Sequence, residues 1–401
     1  MPEATMRITT SHRRAAVRLV LVGASAAVSI GLLGACAGAA AQGGTPAEPP
    51  KVFRTERTDV VVTEVARGLQ HPWGLAFLPD GRMLVTERPG RLRIVDAGGV
   101  PSDPVAGVPA VFARGQGGLL DVAVSPSFAT DRTVFLSYAE PTELGGRTAV
   151  ARGVLEGTAL RDVRVIFRQT PDASGGNHWG SRLVFARDGT LFVTLGDRFT
   201  LREGAQDLGT HLGKVVRIRP DGTVPPDNPF VGRAGALPEI WSYGHRNVQG
   251  AALHPRSGRL WTHEHGPQGG DELNVTLAGR NHGWPTITFG REYGSGAAIG
   301  QGSAKAGIQA PLVQWTPSIA PSGMAFHNGG AFPAWNGNLL VGTLGFRSLF
   351  RLELDGERVV RQERMLQDLG RRIRDVRVGP DGRVYLLTDD PDGAILRLSP
   401  G

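Results

Sequence analysis

Cysteine is almost absent. The 401-residue chain has one, Cys36, so no internal disulfide can form and a Cys-rich zinc or iron–sulfur centre is excluded. Any metal must be held by oxygen or imidazole ligands, and oxygen ligands favour calcium or magnesium. Lysine is nearly as scarce, with Lys51, Lys214 and Lys305 the only three. The positive charge therefore rests on arginine, whose guanidinium is a fixed and permanently charged fork. The body of the chain contains no Lys/Arg-rich run with interleaved aromatics, which argues against nucleic acid as a partner. The net charge of +7 shrinks to +4 once residues 1–36 are set aside, because these hold Arg7, Arg13, Arg14 and Arg18 against Glu3. After that segment no stretch reaches the roughly 18 continuous apolar residues of a membrane span. Helical periodicity is nearly absent as well.

What is present begins with an export signal. Ser11-His12-Arg13-Arg14 precedes an uncharged run from Leu19 to Ala35, the layout of a charged n-region and an apolar h-region. The paired arginines resemble a twin-arginine signal, and Leu33-Gly34-Ala35-Cys36 resembles a lipobox whose cysteine would be acylated. Ordinary cleavage after Ala39-Ala40-Ala41 is the alternative. Both readings give an exported protein, periplasmic or in the cell envelope, with Cys36 as the lipid anchor in the first. Residues 37–57 read as a flexible tether and 58–401 as one folded domain, a monomer or a dimer.

That domain repeats itself. An apolar run, a turn of the Pro-Asp-Gly kind and a second alternating run occur at Leu75–Glu87, Val122–Tyr138, Leu183–Leu195, Ala252–His263, Met324–Gly342 and Val376–Thr388. Alternation with period 2 around a glycine-containing turn is a hairpin signature. Six copies at blade-like spacing predict an all-β, six-bladed β-propeller; a sandwich or two β-domains would not predict one hairpin six times. Closing the ring requires a strand from the other end of the chain, and Val60–Val65 is the candidate partner for Ile395–Leu398.

Several turns carry polar residues that a turn does not need. Gly115-Gln116-Gly117-Gly118 offers close backbone approach and one amide, although taken alone it reads more readily as a plain loop. His178, entering the third hairpin, and Asp197, leaving it, can form an imidazole–carboxylate pair in which the carboxylate fixes the tautomer and the other ring nitrogen serves as base. Gly244-His245-Arg246-Asn247 and His263-Glu264-His265-Gly266-Pro267-Gln268-Gly269-Gly270-Asp271-Glu272 flank the fourth hairpin. His263 and His265 suggest zinc, yet no third imidazole follows at a standard spacing, so calcium on backbone carbonyls is the better expectation. Arg372 and Arg374, two residues apart, suit an anionic ligand with planar carboxylates.

Taken together and in order, these segments over residues 58–400 resemble the soluble PQQ-dependent aldose sugar dehydrogenases of the glucose/sorbosone dehydrogenase family. The resemblance implies a propeller with pyrroloquinoline quinone (PQQ) over the channel mouth and aldose oxidation at C1 to a lactone. It makes His178 the general base, Asp197 its orienting carboxylate and Arg246 the group that stabilises the developing oxyanion, with electrons passing to an external acceptor. Gln116, Arg246, Asn247, Asp271, Arg372 and Arg374 match cofactor or substrate contacts, and the loop holding Thr316 matches the substrate side. Gly266 and Pro267 match the pair whose carbonyls hold Ca²⁺, with Glu272 as a further metal ligand. One departure stands out: where the family often has a Lys to hold a PQQ carboxylate, this chain reads Leu344-Gly345-Phe346-Arg347, which makes Arg347 the replacement. A calcium-dependent lactonase-type hydrolase, and an exported sugar- or protein-binding propeller without cofactor, are the alternatives.

Overall fold

A computed structural model describes residues 49–401. The export signal, the Cys36 lipobox and residues 37–48 of the expected tether lie outside the described residues. The six hairpins read from the sequence are the first two strands of six antiparallel sheets. These strand pairs are Pro72–Phe77 with Met83–Glu87, Leu119–Val124 with Thr133–Pro141, and Leu183–Phe185 with Leu191–Thr194, followed by Val248–Leu253 with Leu260–Glu264, Pro321–Phe326 with Leu339–Thr343, and Ile373–Val378 with Val384–Thr388. Numbered in that order, the sheets are the blades of a six-bladed propeller, and the first strand of each blade contacts those of its neighbours around the ring.

The sixth blade is closed from the other end of the chain. Val60–Leu69 pairs antiparallel with Gly393–Pro400, with Val60 opposite Pro400 and Val62 opposite Leu398. Val60 and Val62 are buried while Val61 and Thr63 are half-buried, so the alternation that marked this segment points one face into the blade-6 core. The tether, by contrast, ends earlier than its composition suggested. Lys51–Phe53 adds a fifth strand outside Val60–Val62, Phe53 packs on the core of blades 5 and 6, and Glu56 accepts hydrogen bonds from Arg361 at 2.6 and 2.7 Å. Residues 51–57 thus belong to the fold, because β-pairing and a guanidinium on the neighbouring blade hold them.

Charged groups meet at the centre of the ring. Arg182 of blade 3 lies 3.2 Å from Asp121 of blade 2 and 2.9 Å from Asp375 of blade 6, and Arg377 reaches the same two carboxylates at 2.8 Å. Since blades 2 and 6 are not adjacent, these bonds cross the axis. Glycine makes room for them: a Cβ on Gly74 would sit 2.6 Å from Asp121 Oδ1, and one on Gly323 would sit 2.3 Å from Asp375 Oδ1.

Candidate active site

The repeat determines where the site lies. Residues just after each second strand emerge at one end of the ring, and in blades 1, 3, 4 and 6 those are Arg88, Asp197, His265 and Asp389. Residues just before each first strand emerge beside them, including His178, Asn247 and Arg372.

His178 and Asp197 form the pair that the hairpin geometry required, with Nδ1 of His178 2.6 Å from Asp197 Oδ1. A carboxylate only accepts, so Nδ1 carries the proton and Nε2 keeps its lone pair. Asp197 is itself held by the Trp284 indole N–H and the Phe199 N–H, both at 2.7 Å. His178 is in the left-handed region at φ 56°, a conformation that persists in a non-glycine residue only where the surroundings impose it. Gln116 is part of that surrounding, because its Oε1 accepts the His178 backbone N–H at 2.9 Å. Burial pulls the imidazole below its ordinary range and Arg246 pushes the same way, opposed by the hydrogen bond that His178 donates to Asp197. The ring is therefore neutral at pH 7, as a base must be.

Beside this pair lies a cavity of about 200 Å³ lined by Trp73, Trp179, Gln116 and Gln249, with a cluster of charge at blades 6 and 1. Arg372 and Arg374 each approach Asp389 Oδ2 at 3.3 Å, and Arg88 completes the wall. Two guanidiniums thus pair with one carboxylate, and a third lines the same cavity. Burial draws Arg374 down to about 10, with Arg182, Arg88 and Arg372 adding to it and Asp389 opposing. Burial alone would raise Asp389, but Arg374, His71, Arg88 and Arg372 hold it well below the usual carboxylate range. An anion entering here would relieve the crowding of like charge.

The fourth blade assembles differently from expectation. The carbonyl of Gly266, expected to face a cation, accepts from Arg246 Nη1 at 2.5 Å, and His265 O accepts from the same atom at 3.1 Å. Pro267 lines an open groove together with Thr316 and Tyr293, and Thr316 Oγ1 accepts the Gly270 N–H at 3.0 Å. Asp271 is spent on bracing: its oxygens accept from Gly266 N, Ser318 Oγ and Ala320 N at 2.7–2.9 Å, so it shapes the loops and lines no part of the cavity. Asn247 accepts from Gly180 N and Gln249 Nε2, both at 3.2 Å, and its buried Nδ2 has no partner, as is true of Arg246 Nε and Arg374 Nε.

Glu272 does sit where a cation would be needed. It is the direct cross-strand partner of Glu264, and the two carboxyls share a small cavity with Gly266 and His282. Burial raises both, and Glu264 raises Glu272 further. Glu264 accepts from His245 Nδ1 at 3.0 Å and from the Arg246 backbone N–H, whereas Glu272 receives only Asn274 Nδ2 at 3.2 Å. The two imidazoles that suggested zinc lie apart in purpose: His265 donates from Nε2 to Pro321 O at 2.7 Å, and His263 is fully buried against Gly250.

One further expectation is corrected. Arg347 is exposed at φ 51° and stays outside this cavity, whose wall on that segment is Leu344 and Gly345; it does not stand in for a lysine. The glycines at 115–118 serve loop-on-loop packing, since a Cβ on Gly115 would lie 2.7 Å from Gly176 O and one on Gly117 3.0 Å from the Trp179 ring. Sequence reasoning missed Arg88, Asp389, Trp73 and Gln249. Aligning the hairpins position by position would have found the first two, which occupy the same place in their repeats as His265, one residue short of the place of Asp197.

A sequence profile described as glucose/sorbosone dehydrogenase matches residues 69–397. The aldose sugar dehydrogenase YliI of Escherichia coli is 48% identical over 338 residues, which cover 83% of this chain and 91% of the relative. The quinoprotein glucose dehydrogenase B of Acinetobacter calcoaceticus is 27% identical over 86% of this chain and 88% of its own. The structure of the PQQ-bound aldose sugar dehydrogenase of Streptomyces coelicolor superimposes with a TM-score of 0.69 at 30% identity, covering 88% of this chain and 99% of that one. With the profile spanning all six blades and the His178–Asp197 pair in place beside the arginine-walled cavity, the chain belongs to the glucose/sorbosone dehydrogenase family.

Proposed function

We propose that this protein is a PQQ- and calcium-dependent aldose dehydrogenase that oxidises C1 of a sugar to a lactone and passes the electrons to an external acceptor. The observation that carries the reading is the adjacency of a neutral, carboxylate-oriented imidazole to a cavity holding three guanidiniums and one carboxylate. The donor set suits PQQ, a planar tricarboxylate. Arg372 and Arg374 line the cavity and would hold carboxylates, and the partnerless Nε of Arg374 would supply a further donor. When bound, PQQ supplies the two-electron acceptor for the hydride lost from C1.

The protein's own part follows from its geometry. His178 Nε2 takes the proton of the C1 hydroxyl while Asp197 keeps Nδ1 protonated and the ring oriented, a contribution of about 10²–10⁴ in rate. Arg246 stabilises negative charge developing on that oxygen, worth about 10²–10³. Trp284 and Phe199 keep Asp197 from turning away. Calcium would be held in the Glu264/Glu272 cavity, where a buried and a half-buried carboxyl face one another and a divalent ion would neutralise both. The Arg13-Arg14 pair, the apolar run 19–35 and Cys36 support action outside the cytoplasm, with Cys36 as the lipid attachment point.

The test is reconstitution. Protein freed of cofactor, then given PQQ and Ca²⁺ with an aldose and a dye acceptor, is expected to reduce the dye and form lactone, and to do neither without PQQ. Failure to bind PQQ at all would remove the proposal.

A further inference from the structure

We infer that Arg88, at the exit of blade 1, is the third anchor for a ligand carboxylate in this cavity; the inference rests on the PQQ reading above and assigns a residue that the sequence motifs did not reach. Arg88 lines the cavity with Arg372, Arg374 and Asp389. The other two arginines are partly committed. Arg372 donates to Leu344 O at 3.2 Å and Arg374 to Gln249 Oε1 at 3.1 Å, and both approach Asp389. Among the described residues the Arg88 guanidinium forms neither a hydrogen bond nor an ion pair. Its neighbour Glu87 offers no partner, because that carboxylate is taken up by Arg91, Arg93 and the Gln70 N–H. A half-buried guanidinium left with all its donors free, beside two others, is set for an anion that arrives from outside.

The backbone around it is built to hold it there. Arg88 N–H donates to His71 O at 3.1 Å, and Arg88 O accepts from Leu119 N at 3.0 Å, so the residue is pinned in the seam between blades 1 and 2. Gly118 makes this seam tight. At φ 143° its missing Cβ would fall 1.8 Å from Arg88 O and 2.8 Å from Arg88 Cγ, so any side chain there would displace both the backbone and the stem of the arginine. Arg347, the cation that the sequence offers for the same task, is exposed and outside the cavity.

Spectral titration of cofactor-free protein with PQQ tests the assignment without turnover, on wild type, Arg88→Gln, Arg88→Lys and Arg347→Gln, with thermal melting of each cofactor-free variant to confirm folding. Arg88→Gln should raise the Kd for PQQ at least about 10-fold, as a lost charge-assisted bond does. Arg88→Lys, which keeps the charge and loses the fork, should fall between, and Arg347→Gln should match wild type. Wild type that binds PQQ together with an Arg88→Gln variant that binds it equally well overturns the role of Arg88 alone. Wild type that binds no PQQ overturns the cofactor reading itself, and Arg88 with it. Should Arg88→Gln fail to fold, the folded Arg88→Lys variant decides, and unchanged affinity there with unchanged salt dependence counts against the inference.

Discussion

Arg198 lays its guanidinium 3.3 Å from the centre of the Trp179 ring. The residue after the orienting carboxylate Asp197 therefore grips the residue after the base His178. It also donates to Gly175 O at 2.9 Å and Asn177 O at 3.0 Å, so the loop leading to the imidazole hangs from one buried side chain. Arg198→Gln should lower stability by about 1–3 kcal/mol, from the lost stacking and two carbonyls left without a charged donor. Because the base then wanders, kcat should drop about 10-fold or more with KM changed little. Denaturant melts and steady-state kinetics measure the two effects separately, and Arg198→Lys, which retains a cation over the indole, should recover part of each.

Removing the base should cost turnover and spare binding. His178→Ala is expected to reduce kcat by at least about 10² while PQQ still titrates, since the arginine wall is untouched. Near-native turnover would refute the assignment of His178.

The pH profile has a defined sign. A base works when unprotonated, and burial together with Arg246 keeps the His178 pKa below the ordinary imidazole value of 6.5. The rate kcat/KM should therefore be level through pH 7 and fall only as pH drops below 6.5. Asp197→Asn takes away the influence that raises this pKa, so the acid limb should move to still lower pH while kcat drops. A limb that moves upward would contradict the pairing.

Glu272→Gln should uncouple calcium from stability. In wild type, Ca²⁺ at about 100 times its Kd should add about 2.7 kcal/mol to the free energy of unfolding, and chelation should reverse it. The variant relieves the confrontation with Glu264, so it should melt no lower than wild type without calcium and gain little when calcium is added. Differential scanning calorimetry with and without chelator distinguishes these outcomes.

Lys214 provides a test of the scaffold. Its buried Nζ donates to Gly204 O, Leu212 O and Ala205 O at 2.6–3.1 Å, tying the loop after Asp197 to blade 3. Lys214→Met leaves Leu212 O without a donor, while Gly204 O keeps the Asp207 N–H and Thr210 Oγ1 and Ala205 O keeps the Gly244 N–H, and should lower stability by about 1–3 kcal/mol, read as a fall in the melting midpoint.

The propeller was legible because its information is local and repeated: each blade announces itself with an alternating run, a glycine turn and a second run, and the closing strand at Val60–Leu69 alternates in the same way. His178 and Asp197 were legible because a hairpin brings its own ends together. What stayed hidden depends on contacts between distant segments. Asp271 gave no sign in sequence that its carboxylate would be consumed by Ser318 and Ala320, 47 and 49 residues away. Nothing local to Gly266 signals that Arg246 will claim its carbonyl, and nothing local to Arg347 tells that the cavity wall on that segment stops at Gly345. Arg88 was hidden by its surroundings, an unremarked Glu-Arg-Pro-Gly turn.

The pairing of Val60 with Pro400 also fixes an order of events in the life of the chain. Synthesis delivers the first of these residues long before the second, so the strand Val60–Leu69 must wait for its blade-6 partner with only Lys51–Phe53 beside it. Blades 1 to 5 can form as they emerge, since each is built from one contiguous segment, whereas closure of the ring joins residues more than three hundred positions apart and comes at the end. Until then the sixth blade presents a bare edge, and Asp375, which Arg182 meets across the axis, itself arrives only with the first strand of that blade. Closure of the ring is thus gated by the strand Gly393–Pro400: a nascent chain short of it lacks a sealed perimeter, and the capacity to bind at the mouth of the ring should appear when that strand pairs with Val60–Leu69.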